Sequence, residues 1–283
     1  MAWTRTYDGD EPQRVNKWLA QSGVCSRREA ETLIEKGLVS VDGETVRDPG
    51  RKIARGQTLT LADAAQDRLA GAATIVLNKP VNYVSAQPEK GQVPAARLVT
   101  RETLFGQASS VPGRDVRLAP AGRLDQDSRG LLLLTEDGVL TKAVIGETSG
   151  VDKEYLVTVT GKITPDKLAK LRHGLSLDGR ELRPAQVSRE DGQVLRFILN
   201  EGRKRQIRRM CEQVGLHVVD LFRIRIGPVS IGDLPEGQWR PLAPEERAAL
   251  LTMGAQAKSR IPRTRPPAKN APKRAWRSKP RQN

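Results

Sequence analysis

Aromatic side chains are scarce in this 283-residue chain, at 4% of the composition. Cysteine and histidine are scarcer still, with only Cys25, Cys211, His173 and His217. Neither pair has metal-ligand spacing, which argues against a zinc site. Both cysteines fall in helix-like stretches, CSRREAETLIEK and IRRMCEQVG, where a small buried thiol is the ordinary explanation. No apolar run reaches the roughly 20 residues that span a bilayer. The opening MAWTRTYDGDEPQR contains no apolar signal-peptide core. These absences lead to the expectation of a cytoplasmic protein with reduced thiols. Acidic residues are also in deficit: 33 Asp and Glu stand against 48 Lys and Arg, a net charge of +15. Such a surplus favours a polyanionic partner, nucleic acid first and an acidic membrane surface second. The membrane alternative is weak because no amphipathic anchor adjoins the basic run at the end of the chain.

The length accommodates two domains with tails. The segment 13–61 reads as a compact unit. Val15, Trp18 and Leu19 form a helical stripe that ends near Gly23. Ser26 then opens Ser-Arg-Arg-Glu, a capping box completed by Glu29, and the helix it starts stops at Gly37. Leu38–Val41, an Asp42-Gly43 turn and Glu44–Val46 give a hairpin signal. The text RVNKWLAQSGVCSRREAETLIEKGLVSVDGETV resembles the S4 RNA-binding domain, with Arg14, Lys17, Ser26, Arg27, Arg28, Glu29 and Ala30 at the pattern's positions. The resemblance implies that Arg14, Lys17, Arg27 and Arg28 meet structured RNA. Phosphate contacts of that kind position an RNA without reading its sequence.

Residues 62–73 lack strong periodicity and read as a linker. From 74 to 253, strands and helices alternate irregularly. Thr74–Leu77 and Leu131–Leu134 are buried strands, and Glu154–Thr160 alternates as a half-buried strand does. Thr164-Pro165 starts a helix that ends at Gly174. Two strands flank Asp191-Gly192, and Arg205–Val214 forms a helix stopped by Gly215. The fold class is α+β with a sheet-centred core. The segment 254–283 holds ten Lys or Arg, five prolines and no acid. It cannot bury enough apolar area to offset its ordering entropy and is expected to be a disordered basic arm.

The stretch Ala121-Gly122-Arg123-Leu124-Asp125-Gln126-Asp127-Ser128-Arg129-Gly130, ahead of four leucines, is a charged loop leading into a buried strand. Loops on rigid scaffolds are where catalytic carboxylates sit, although spacing alone favours an ordinary turn with a capping aspartate. This stretch resembles the GRLD motif of the RsuA-like pseudouridine synthases. Three further segments match that family in order: Leu77-Asn78-Lys79-Pro80, Lys153-Glu154-Tyr155-Leu156-Val157, and Gly202-Arg203-Lys204-Arg205-Gln206-Ile207-Arg208-Arg209-Met210. With the S4-like unit, the resemblance runs from Arg14 to Leu250. The S4-like unit, Arg-Gln-Ile-Arg-Arg-Met-Cys-Glu and the basic extension most resemble the F-type 23S rRNA enzymes of that family.

The resemblance implies a small S4 (αL-type) RNA-binding domain followed by a sheet-centred catalytic domain. It implies isomerisation of uridine to pseudouridine, an rRNA partner (23S first, free or in a ribosomal particle), and action as a monomer. Asp125 is then the catalytic carboxylate, Arg208 its counter-charge, and Tyr155 the residue that stacks on the target base and helps remove its C5 proton. Arg123 enters the space left by the flipped base, and Arg205 belongs to the RNA-binding set. The reaction breaks the bond from ribose C1′ to N1 and remakes it to C5, so neither cofactor nor metal is called for. An ionised carboxylate can act at the ribosyl carbon as nucleophile or base. Two departures stand out. Asn82 follows Lys79-Pro80-Val81 where the family often has Gly, a change that asparagine's tolerance of left-handed backbone accommodates. The segment 87–118 is longer than usual.

Overall fold

The computed structural model describes residues 3–113, 116–146 and 149–259. At the N-terminus, helices α1 (Val15–Gln21) and α2 (Arg27–Glu35) accompany a four-stranded sheet. Its strands run in the order Thr4–Thr6, Thr58–Leu61, Val39–Val41, Glu44–Thr45. The capping box is reciprocal: Ser26 Oγ accepts from Glu29 N at 3.3 Å, and Ser26 N donates to Glu29 Oε2 at 2.6 Å. Asp42 and Gly43 both have positive φ, as a tight primed turn requires. Leu19, Leu33, Ile34, Ile53 and Leu59 fill the core, each contributing on the order of 1.5–3 kcal/mol by burial.

The segment expected to be a linker is instead helical. Helix α3 (Asp63–Ala70) buries Ala65 in the N-terminal core and packs Leu69 against it. Those two positions, one turn apart, are the whole apolar stripe, too thin to register as periodicity.

The larger domain is built on a nine-stranded sheet. Its main path runs Gln186–Arg189, Val194–Leu199, Lys153–Thr160, His217–Ile226, Arg129–Thr135, Thr74–Lys79, Trp239–Pro241. Neighbours on this path are antiparallel except Arg129–Thr135 beside His217–Ile226, which is parallel. Four helices accompany the sheet: α4 (Gly138–Ile145), α5 (Pro165–Arg172), α6 (Gln206–Gln213) and α7 (Pro244–Ser259). The central strand explains the run of four leucines. Leu131 and Leu133 pack with Leu140, Val144 and Leu250 on one face, while Leu132 and Leu134 pack with Leu77 and Trp239 on the other. A strand buried on both faces loses the polar–apolar alternation.

The described residues of the segment 87–118 cover the Trp239 face. Ala95, Leu98, Val99 and Leu104 pack there, and the backbones of Thr103 and Phe105 bond to that of Trp239. Helix α7 extends to Ser259, so residues 254–259 continue the domain's last helix instead of opening an unstructured tail. Gly254 lies where a Cβ would stand 2.7 Å from that of Ala143, which lets α7 approach α4 closely. The rest of the basic arm, 260–283, lies outside the described residues. The two domains touch where α2 and α4 begin: Gly138 N donates to Glu29 Oε1 at 3.3 Å.

Candidate active site

The loop 121–128 enters the central strand at Arg129, and its backbone is held from several sides. Ser85 Oγ accepts from Leu124 N at 2.8 Å and donates to Leu124 O at 2.6 Å. Asn82 N donates to Gln126 O at 2.8 Å, and the Gln126 amide returns a bond to Asn82 O at 3.3 Å. Asn82 makes this contact with φ at +70°, a conformation its residue type allows. Arg223, almost fully buried, donates Nε to Leu131 O at 2.7 Å, Nη2 to Gly122 O at 3.1 Å and Nη1 to Arg123 O at 3.4 Å. Its fork therefore ties the loop to the strand the loop becomes. Gly130 makes the close crossing possible, because a Cβ there would fall 2.3 Å from Arg223 O and its φ is +105°.

Asp125 emerges from this braced loop with 39% of its side chain exposed. It lines a cavity of about 900 Å³ together with Tyr155, Arg123 and Arg205. Tyr155 comes from the strand Lys153–Thr160, beside Arg223 on the neighbouring strand, and its half-buried ring packs against two of the domain's cores. Four of the sequence-selected residues thus meet at one cavity.

Arg208 does not pair with Asp125, contrary to expectation. It is 7% exposed beneath the loop, where Nη2 donates to Asp127 O at 2.7 Å and Nη1 to Val218 O at 3.2 Å. Its Nε stands 3.3 Å from Asp127 Oδ2, within ion-pair range but not aligned for a hydrogen bond. The cation near Asp125 is Arg205, at 3.9 Å, which also grips both oxygens of Asp127 at 3.1 and 2.9 Å. The reason is backbone position. Arg205 is the N-cap of α6 in a left-handed conformation at φ +51°, whereas Arg208 lies one turn inside on the buried side. Burial works against ionisation of Asp127, but the Arg205 hydrogen bond and the charges of Arg208 and Arg205 outweigh it and hold its carboxyl below the usual range.

Two lysines, Lys79 buried and Lys153 half-buried, adjoin the site. Lys79 Nζ donates to Pro80 O at 2.7 Å and Tyr83 O at 2.9 Å. Burial, assisted by Arg223 and opposed by Asp127 and Asp125, lowers its ammonium to about 8. Lys153 lines the cavity and donates to Val144 O and Val151 O, and burial with the charge of Arg223 lowers it to about 8 as well. Arg14, Lys17, Arg27 and Arg28 stand apart, exposed on the N-terminal domain and without an ion pair among the described residues. Sequence reasoning missed Arg223, Ser85 and Asp127. Arg223 sits in a strand that also carries Asp220 and Arg225, and nothing local signals that its side chain turns inward.

The residues 73–213 match the family model described as RNA pseudouridylate synthase, and 13–59 match that of the S4 domain. Dual-specificity RNA pseudouridine synthase RluF of Escherichia coli K12 is 35% identical over 96% of this chain and 88% of its own length. Ribosomal large subunit pseudouridine synthase B of Bacillus subtilis is 31% identical over 87% of this chain and 99% of its own. A solved pseudouridylate synthase structure superposes with a TM-score of 0.59 at 26% identity, covering 84% of this chain and 99% of that one. The α+β architecture, the braced loop with its aspartate, and these likenesses over most of both chains lead to one assignment: the chain belongs to the RNA pseudouridine synthase family and carries an N-terminal S4 domain.

Proposed function

We propose that this enzyme isomerises a specific uridine of 23S ribosomal RNA to pseudouridine, with Asp125 as the catalytic carboxylate. The observation that carries the reading is the shared cavity of Asp125 and Tyr155, at the end of a loop whose backbone is fixed by Ser85, Asn82 and Arg223. Its volume of about 900 Å³ is ample for a flipped nucleotide. A uridine stacked in a helix hides its reacting atoms, so the base must leave the stack. Arg123, on the cavity wall beside Asp125, takes the place of the extruded base.

The carboxylate of Asp125 then either bonds to C1′, to be displaced when C5 bonds there, or takes the C2′ proton and later returns it, while the C1′–N1 bond breaks. The freed uracil turns, C5 bonds to C1′, the C5 proton departs and N1 gains one. The Tyr155 ring stacks on the base during this turn, an interaction indifferent to base identity. Arg205 supplies positive charge near Asp125, and Arg208 holds the loop that presents it. The exposed Arg14, Lys17, Arg27 and Arg28 of the unit 13–61 grip neighbouring structured RNA. The name of the Bacillus subtilis relative, a ribosomal large subunit pseudouridine synthase, supports a large-subunit rRNA target.

Pseudouridine maps of rRNA and tRNA from a deletion strain and its parent test this reading. One site missing from 23S rRNA is the expected result. Loss confined to 16S rRNA would reject the substrate while keeping the chemistry, and no loss in any RNA would favour a noncatalytic rRNA-binding role.

A further inference from the structure

The cavity is also lined by Arg180 of a short hairpin, Ser176–Leu177 with Arg180–Glu181, by Arg183 beyond it, and by the turn leading into α6. The cations here fall into two groups. Arg203 is engaged internally: its guanidinium donates to Leu177 O at 3.0 Å, Arg180 O at 3.2 Å and Glu181 O at 2.8 Å. Arg209 is also engaged, by Asp178 at the hairpin tip, at 2.6 and 3.0 Å. Glu201 completes the brace by accepting from Arg183 N at 3.1 Å and from the Gln206 amide at 2.9 Å. Arg180, Arg183 and Lys204 are different. All three are exposed, all three line the cavity, and none has a side-chain partner among the described residues.

Like charges gathered without counter-ions repel one another, and such an arrangement is stabilised by a polyanion. The Arg203, Arg209 and Glu201 contacts fix the backbone that carries the free cations, so little ordering entropy remains to be lost on binding. Arginine forks also suit phosphate oxygens in geometry. We propose that Arg180 and Arg183, with Lys204, form a phosphate-binding shelf for the RNA strand that flanks the target nucleotide. This rests on the reading that the Asp125 cavity receives RNA. The shelf carries no base-reading group, so it contributes affinity and register, not sequence choice.

The test is the salt dependence of binding by the full chain to a 23S rRNA transcript, compared with Arg180→Gln/Arg183→Gln and Arg180→Lys/Arg183→Lys. Each phosphate left without its cation lowers the log–log slope by about 0.7–0.9, so the glutamine pair should flatten it by roughly 1.4–1.8. The lysine pair should keep most of the slope. Thermal unfolding should stay near the parental profile. An unchanged slope in the folded glutamine variant would overturn the shelf. If the parent binds the transcript but releases no C5 proton from it, the proposed substrate fails while the slopes still decide the shelf.

Discussion

Arg223→Met removes the fork that joins the Asp125 loop to the central strand, and its cost can be built from three carbonyls. Leu131 O lies inside a strand buried on both faces and receives the shortest bond, 2.7 Å. Leaving such an acceptor unmet costs about 1–3 kcal/mol. Gly122 O and Arg123 O, at 3.1 and 3.4 Å, belong to residues on the cavity wall, where water can replace the missing donors at smaller cost. The sum is roughly 2–4 kcal/mol, against a typical total stability of about 5–15 kcal/mol, so the variant should fold. Turnover should suffer more than stability, because a misplacement near 1 Å can cost about 100-fold in rate. Urea denaturation and single-turnover release of tritium from C5-labelled uridine RNA measure the two effects. Arg223→Lys, with one ammonium in place of the fork, should recover stability before it recovers rate. Near-parental turnover by Arg223→Met would refute the claim that this side chain sets the loop.

Gly130→Ala should be more damaging still: a Cβ meets the Arg223 carbonyl at 2.3 Å with φ at +105°, and the combined strain and overpacking is roughly 2–6 kcal/mol, read by urea denaturation. Arg208→Met should lose turnover through loss of the Asp127 carbonyl anchor, and retention of a parental rate would remove that role. Tyr155→Phe should weaken RNA binding little and product formation strongly, because the ring remains while the hydroxyl is gone; equal losses in both would contradict the assignment. Asp127 gives a pH effect of defined sign. Its native pKa is depressed, so as pH falls below about 4 the unfolded chain takes up the proton first and the pair's contribution is lost. Asp127→Asn should therefore flatten the acid limb of a stability–pH profile.

Much of the fold was legible because its signals are local. The Ser26 capping box, the Asp42-Gly43 turn, the Thr164-Pro165 helix start and the glycine after α6 each act within a few residues. The site was legible in part, and for a similar reason. Asp125 and Tyr155 lie in segments that resemble family motifs, and the cavity joins them. The braces were hidden because they link residues far apart in the chain: Ser85 to Leu124, Asn82 to Gln126, Arg223 to Gly122. Nothing in a linear pattern reports which strand will lie beside which. The exchange of roles between Arg205 and Arg208 was hidden too, since it depends on a left-handed residue at the start of α6. Helix α3 has too weak a pattern to be read, because its burial rests on Ala65 and Leu69 alone, and α7 runs past Met253 because Ala255, Gln256 and Ala257 favour continuing a helix.

The proposed mechanism rests above all on the Asp125 carboxylate. Asp125→Asn keeps the side-chain shape and removes the charge, and the Ser85 and Asn82 braces act on the loop backbone, so loop and fold should persist. Single-turnover tritium release from C5-labelled 23S rRNA is the measurement, run at RNA concentrations that saturate the variant. Parental RNA affinity, a parental unfolding profile and no release above background are the expected results. Appreciable release by Asp125→Asn would contradict the assignment of the chemistry to this carboxylate.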